Sequence, residues 1–375
     1  MLVFLWFLAF ALGVLAISHA ARLTMEGSKG ATLAIVYDAS PWLLGLTWVV
    51  LIAAIVQGAW LLALLSLAIG AYHLWLVIPR LLRNATPWWV HGAPHVTVAV
   101  ANVFIDNRTP EDAAKQLAEL DVDVVVVVES TPDFLARFDA FGGAQRFPYR
   151  VTDPEDTSDY AVSVLSRRVI SPRSAVRDIG PLRIAVAEVL LGRSSVVIAG
   201  VNPTAVVDPG GYDEWREQID VLHWLIDRLP EPLVLVGDLN TTRFRPEFRH
   251  LLDQGMRDAI DMLGEGLTTS FKLAADGPLA SVGTVARLDH ALVDRRVHPT
   301  AFRQLEPCGS DHVPFVLTFA IHPHGRHHHH LPSPAMAAAA VDAAPSVPSP
   351  EPSEFAPPQP ADAVSADAPA NDPAA

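Results

Sequence analysis

Apolar residues fall into two patterns along this chain. From Met1 to Ala16, and again from Pro41 to Pro79, no Asp, Glu, Lys or Arg interrupts the sequence. A soluble helix shows a polar stripe at a period of 3.6 residues, and these runs lack one. At about 1.5 Å per residue the second run is roughly twice a ~30 Å hydrocarbon core, which predicts two spans joined by a turn near Gln57-Gly58. Trp42, Trp48, Trp60, Trp75, Trp88 and Trp89 gather near the expected span ends, where amphipathic rings anchor at the interface. With the first run, this predicts about three transmembrane helices within residues 1–90. Ser18-His19-Ala20 resembles a signal-peptidase site, but no positive segment precedes it, which favours an uncleaved span.

Between 95 and 321 the pattern shortens and turns β-branched. Val96-Thr-Val-Ala-Val-Ala runs into Asn102, and Val122-Asp-Val-Val-Val-Val-Val runs into Glu129. Val196-Val-Ile-Ala-Gly-Val runs into Asn202, and Leu233-Val-Leu-Val-Gly runs into Asp238-Leu-Asn240. Such runs are strands buried on both faces. Each delivers an amide or carboxylate at its C-terminal end, as if into one cleft. Helices lie between them. Thr109-Pro-Glu-Asp112 reads as an N-cap with Pro at the first helical position and an acidic first turn. Trp215, Ile219, Leu222 and Leu225 recur at helical spacing, so Trp215 and Trp224 are packing residues and His223 is a helix-surface residue. The segment is therefore an α/β domain.

From 322 to 375 the chain is His-rich, then rich in Pro, Ala and Ser, with little to bury. This predicts a disordered tail. His322, His324 and His327 to His330 offer imidazoles to a transition metal, or form a low-complexity tract without that role.

Composition narrows the functions. The 375 residues carry 27 Lys and Arg against 41 Asp and Glu, a net charge of −14. Residues 95–321 hold 22 and 33 of these, a net −11. No dense basic cluster is present, which argues against a broad duplex-DNA surface and toward small phosphoesters, lipid head groups or short single strands. Arg243 and Arg245 are either cleft-rim phosphate contacts or solvated loop residues. One cysteine, Cys308, excludes a disulfide framework and a cysteine-based zinc site.

Two further segments place polar groups beside strands: Leu288-Asp289-His290 and Ser310-Asp311-His312. The ordered set Asn102, Glu129, Gly237-Asp238-Leu239-Asn240, Asp289 and Asp311-His312 resembles the endonuclease/exonuclease/phosphatase superfamily. That superfamily comprises metal-dependent phosphoesterases, among them DNase I-like nucleases, neutral sphingomyelinases and inositol polyphosphate phosphatases. The resemblance covers roughly Val96 to Phe319 and implies a four-layer α/β sandwich of two packed β-sheets flanked by helices (DNase I-like), here preceded by transmembrane helices. Apolar spans ahead of such a domain resemble bacterial membrane-anchored members, whose catalytic domain is expected outside the cytoplasm. Arg22, Lys29, Arg80 and Arg83 flank the runs and, counted as cytoplasmic, would place it inside.

By the same resemblance Glu129 is the main carboxylate for Mg2+ or Mn2+, with Asp311 and the Asn102 amide completing or orienting the shell. Asp238 would align and deprotonate the attacking water, and Asn240 would hydrogen-bond a phosphoryl oxygen. His312, oriented by Asp289, would donate to the phosphate in the transition state. One position departs from the family pattern. Asn202 stands where a phosphate-contacting His is usual, and an amide carries neither a titrating proton nor a charge. The expected function is a membrane-anchored, metal-dependent phosphoesterase acting on nucleic acid, a phospholipid head group or a small phosphoester. The alternative is a weakened or inactive binding or scaffold module. The expected partners are the bilayer and that substrate, with no protein partner predicted.

Overall fold

The computed structural model describes residues 1–207, 210–275 and 281–322. The expected tail, from residue 323 onward, lies outside them. The chain begins with helices α1 Leu2–Ala20, α2 Gly27–Asp38, α3 Ser40–Gly45, α4 Thr47–Val56 and α5 Trp60–Val77. Leu5 and Ala9 pack with Ala54, Val50 and Leu62, whereas Leu15 and Ala16 pack with Leu44 and Leu76. Thus α1 and α5 run the same way and α3–α4 returns between them. The turn falls at Gln57-Gly58, where Gly58 takes a positive φ of 65°. Phe4, Phe7, Phe10, Ile52, Val56, Leu61 and Leu64 remain exposed on the outside of this bundle.

Two helices, Leu2–Ala20 and Trp60–Arg80, are long and apolar enough to cross a membrane. A third candidate arises only by joining Gly27–Asp38 with Ser40–Val56 across a 53° bend. The described residues thus hold two such helices, or three if the bent pair counts as one. The N-terminal half of that pair, α2, packs instead on the following domain. A Cβ on Gly30 would lie 2.1 Å from the Tyr212 ring, and Ala34 is buried beside it. Two tryptophans expected at the interface are used internally. The Trp48 indole donates to His73 Nδ1 (3.2 Å), and Trp89 packs on His298 and His322.

The domain proper comprises β1 His95–Asn102, α6 Pro110–Glu119, β2 Val124–Val128, α7 Pro132–Ala140, α8 Gly143–Arg146, β3 Tyr149–Val151, β4 Val162–Ser166, β5 Ala175–Ile179, β6 Leu182–Leu191 and β7 Ser194–Val201. It continues with α9 Gly211–Ile226, β8 Leu233–Asp238, α10 Pro246–Asp253, β9 Arg257–Asp258, α11 Ala259–Met262, β10 Phe271–Lys272, β11 Thr284–Ala286, β12 Asp289–Val293, β13 Val297–Gln304 and β14 Phe315–Ile321. Two six-stranded sheets have the orders β13-β14-β1-β2-β4-β3 and β5-β6-β7-β8-β12-β9, and β10 and β11 form a separate two-stranded pair.

The sheets meet through Val98, Val100, Val126 and Val164 on one side and Ile198, Val234, Val236 and Ala291 on the other. Intervening residues of the same strands face outward and are covered in turn. Ala99, Val125 and Val127 take Leu117 and Phe138 of α6 and α7, while Ala199 and Leu235 take Trp215, Ile219 and Phe248 of α9 and α10. Both faces are apolar because both are covered, which gives a four-layer sandwich. One local expectation fails. The Thr109 hydroxyl does not cap α6 but donates to Cys308 O (3.2 Å), joining the loop after β1 to the loop before Ser310.

The helical region is bound to this domain at many points. Arg22 pairs with Asp253, Asn84 N donates to Met262 O (2.8 Å), Gly266 N to Arg80 O (3.0 Å), and Arg83 to Thr300 O (2.7 Å).

Candidate active site

Strand pairs β1–β2 and β7–β8 are parallel, so within each pair the C-terminal ends reach one edge of its sheet. Asn102 ends β1, Glu129 follows β2, Asn202 follows β7 and Asp238 ends β8. Strand β12 pairs antiparallel with β8 and sets its first residue, Asp289, opposite Asp238. His312 forms an isolated bridge with Phe271 just ahead of β14, the other neighbour of β1. Gly237 supplies the close approach this edge needs. Its φ is +143°, and a Cβ there would sit 2.0 Å from Val201 O.

Asn102 links the two sheets. Its Nδ2 donates to Glu129 Oε1 (2.7 Å) and Asp238 Oδ2 (3.2 Å), while its Oδ1 accepts from Phe104 N (2.9 Å). The Ile105 backbone N–H donates to the other Glu129 oxygen (2.6 Å). Glu129 holds a left-handed φ of 60°, a conformation an ordinary residue keeps only where its surroundings impose it. Asp238 Oδ1 accepts from Asn240 N (2.8 Å). His312 Nδ1 donates to Asp289 Oδ2 (2.7 Å), leaving Nε2 at 3.5 Å from Asp238 Oδ2. The Ser270 hydroxyl donates to the same Asp289 oxygen (2.6 Å). Ser310 Oγ donates to Asn102 O (2.9 Å) and accepts from His312 N (3.0 Å), which fixes the imidazole against β1.

Burial sets the electrostatics. It lifts the Glu129 carboxyl to about 7 against the donors Asn102 and Ile105, with Asp238 adding repulsion. It lifts Asp238 to about 6, opposed by His312 and reinforced by Asp289. Burial works against a charged His312, yet Asp289 and Asp238 beside it push its pKa up to about 10. At neutral pH the imidazole is therefore a cation carrying a proton on Nε2, aimed toward the edge where Asp238 sits. Two carboxyls that titrate near neutrality beside a cationic histidine form an acid–base set.

Ligand atoms of Asp238, Asp289 and His312 lie within 4.8 Å of one another. His312 Nδ1 is committed to Asp289, which leaves the Nε2 face free of that bond and in charge contact with Asp238 at 3.5 Å. Glu129 and Asp311 lie outside this trio but offer oxygens of the kind a hard cation takes. Asp311 Oδ1 is buried without a hydrogen-bond donor, and each Glu129 oxygen has one donor and a remaining lone pair. These groups suit Mg2+ or Mn2+, with Asn102 as the orienting amide.

Two other expected residues spend a side-chain N–H within the protein. The Asn202 amide donates to Asp159 O (2.7 Å), and Asn240 Nδ2 donates to Pro203 O (2.8 Å). His223 bonds Gln254 on the helix surface. Arg243 and Arg245 are not rim residues. Arg243 pairs with Asp261 and Arg245 with Asp38, both largely enclosed, because α2 and α11 cover the loop that carries them. Ser270 and Ile105 carry no signal in the sequence, since a loop serine and a backbone N–H gain their roles only from the fold.

A model of the Endonuclease/Exonuclease/phosphatase family matches residues 99–312, more than half of the chain. Solved structures similar to it include humanized D. rerio TDP2, at 18% identity and TM-score 0.50, over 60% of this chain and 98% of that one. D. rerio TDP2 complexed with a single-strand DNA product has 19% identity and TM-score 0.50, over the same shares. An endonuclease/exonuclease/phosphatase from Beutenbergia cavernae DSM 12333 has 14% identity and TM-score 0.47, over 61% and 72%. At these identities the likeness is one of fold. No curated protein sequence matches the chain.

Proposed function

The chain belongs to the Endonuclease/Exonuclease/phosphatase family, and from that premise we propose that it is a membrane-anchored, divalent-metal-dependent hydrolase of phosphoesters. The observation that carries this reading is the meeting of Glu129, Asp238 and the Asp289–His312 pair across the ends of both sheets. Glu129 and Asp311 would hold Mg2+ or Mn2+, which when bound neutralises charge on the phosphoryl and leaving oxygens. Asn102 keeps Glu129 turned toward that position. Asp238, with a pKa lifted to about 6, takes a proton from the attacking water. The second N–H of Asn240 and the Nε2–H of His312 donate to phosphoryl oxygens as charge develops, and Asp289 holds the imidazolium in place.

Helices α1 and α5 supply the proposed anchor, with α3–α4 as the returning segment. Three of the four flanking cations are engaged with the domain: Arg22 with Asp253, Arg83 with Thr300 O and Arg80 over Phe244. Their position therefore reflects docking more than the charge rule for membrane orientation. We place the domain on the extracytoplasmic side, as the resemblance implies; protection from protease in intact cells would overturn that side.

The experiment is hydrolysis of bis(p-nitrophenyl) phosphate by the full chain in detergent, with Mg2+ or with EDTA. Metal-dependent turnover that His312→Ala and Glu129→Gln both remove is the expected result. Turnover retained by both would overturn the assignment. One observation favours a second reading, a non-catalytic module. Asn202, at the position of the usual histidine, spends its amide on the Asp159 carbonyl. An inert wild type that gains activity as Asn202→His would establish that reading.

A further inference from the structure

Asp38 is the last residue of α2, some 200 residues from the domain's loops, yet its carboxylate is the hub of the loop that follows β8. Oδ1 accepts from Thr242 Oγ1 (2.7 Å), Thr242 N (3.3 Å) and Arg245 Nε (2.9 Å), and Oδ2 accepts from Arg245 Nε (3.0 Å) and from its terminal nitrogen. The ion pair is enclosed, with the Arg245 side chain 4% exposed and that of Asp38 16%. The guanidinium also lies over the Trp215 ring, 5.1 Å from its centroid, and its other arm donates to Asn240 O (3.1 Å). The Trp215 indole N–H donates to the preceding carbonyl, Leu239 O (2.9 Å).

The segment held this way needs holding. Asn240 has a left-handed φ of 48°, and its N–H is the donor that orients Asp238. Arg245 can keep one arm on Asn240 O only while the other arm is neutralised. An enclosed guanidinium without its carboxylate is costly and turns toward water. We propose that Asp38 is a positioning residue: through Arg245 it fixes the Asp238–Asn240 loop, so that the helical region is part of the catalytic apparatus as well as its anchor. The inference rests on the reading of Asp238 and Asn240 as catalytic groups.

The test uses the full chain in detergent, comparing wild type, Asp38→Asn, Asp38→Glu and Arg245→Lys, with Glu129→Gln as control. Asp38→Asn is expected to speed amide hydrogen exchange across 239–245 and to lower kcat on bis(p-nitrophenyl) phosphate by about tenfold, less than direct loss of a transition-state donor. Its KM and Mn2+ affinity stay at the wild-type values, which a general loss of structure would not allow. Asp38→Glu recovers part of the loss. Arg245→Lys keeps the charge but loses the second arm, so it reproduces the kcat defect and stands in where Asp38→Asn fails to fold. Unchanged exchange across 239–245, or faster exchange with unchanged kcat, overturns the proposal. If Glu129→Gln matches wild type, the catalytic reading fails separately, and the exchange measurement still decides whether Asp38 holds the loop.

Discussion

In the bundle, Phe7, Phe10, Ile52, Leu61 and Leu64 point outward, while Ser66 and His19 are enclosed; in the sandwich, Val98, Val126, Ile198 and Val236 are enclosed between sheets. The sandwich buries polar groups as well, and it gathers Asn102, Asp238, Asp289 and His312 at one edge. An apolar exterior fits a surrounding of hydrocarbon, and a buried carboxylate cluster fits a cation or a proton to be moved. The same composition thus does opposite things in the two regions. Hydropathy averaged over the chain hides this, since the outward residues of one region and the inward residues of the other are of one chemical kind.

The contrast breaks most sharply at the buried edge. Asp238→Asn keeps the shape and removes the base, so kcat is expected to fall about 10³-fold with the fold intact; a loss below tenfold would mean the edge is not catalytic. At the opposite surface, Leu64→Arg places a cation where the bundle is exposed. It is expected to cost about 3 kcal/mol of membrane insertion, read as release from membranes by alkaline carbonate, and full retention would break the assignment of that surface.

The next effect is one of pH. Glu129 and Asp238 have folded pKa values near 7 and 6, above the values of 4.5 and 3.8 they take when solvated. A raised carboxyl favours the folded state at low pH, and that advantage is lost as pH rises through the folded value. In EDTA the melting temperature should therefore fall between about pH 4 and 7 on account of this pair. Mg2+ should raise it more at pH 7.5 than at pH 5. An equal Mg2+ shift at both pH values would refute a carboxylate site for the ion. The smallest effect is expected of Asn202→His, a gain of about tenfold in kcat, because the imidazole adds a charged donor but gives up the amide bond to Asp159 O that fixes this position.

Legibility from sequence divides along the same line. The strand ends could be read because a strand buried on both faces must be apolar until it stops, so Asn102, Glu129 and Asp238 announce themselves. The Asp289–His312 pairing was accessible only through resemblance, since register across two strands is not local. The bond from Asn202 to Asp159 O and the burial of Arg245 by Asp38 were out of reach. Both depend on loops meeting from distant parts of the chain. Helix α2 carries little signal in the sequence because its domain-facing side is made of Gly30 and Ala34, small residues that approach Tyr212 closely and add little hydropathy. The break between α3 and α4 likewise sits inside an unbroken apolar run.

The passage from α5 to β1 is pinned at three places: Arg80 O to the loop at Gly266, Arg83 to Thr300 in β13, and Asn84 to Met262, the last residue of α11. With α1 and α5 in a bilayer, such a mount cannot swing. The site would face a constant direction at a constant height, like a turret without a bearing, and would meet only molecules that travel past it. Encounter would then follow the surface density of a substrate that shares the membrane and its lateral diffusion there, whereas a substrate in bulk solution would gain nothing from the anchor.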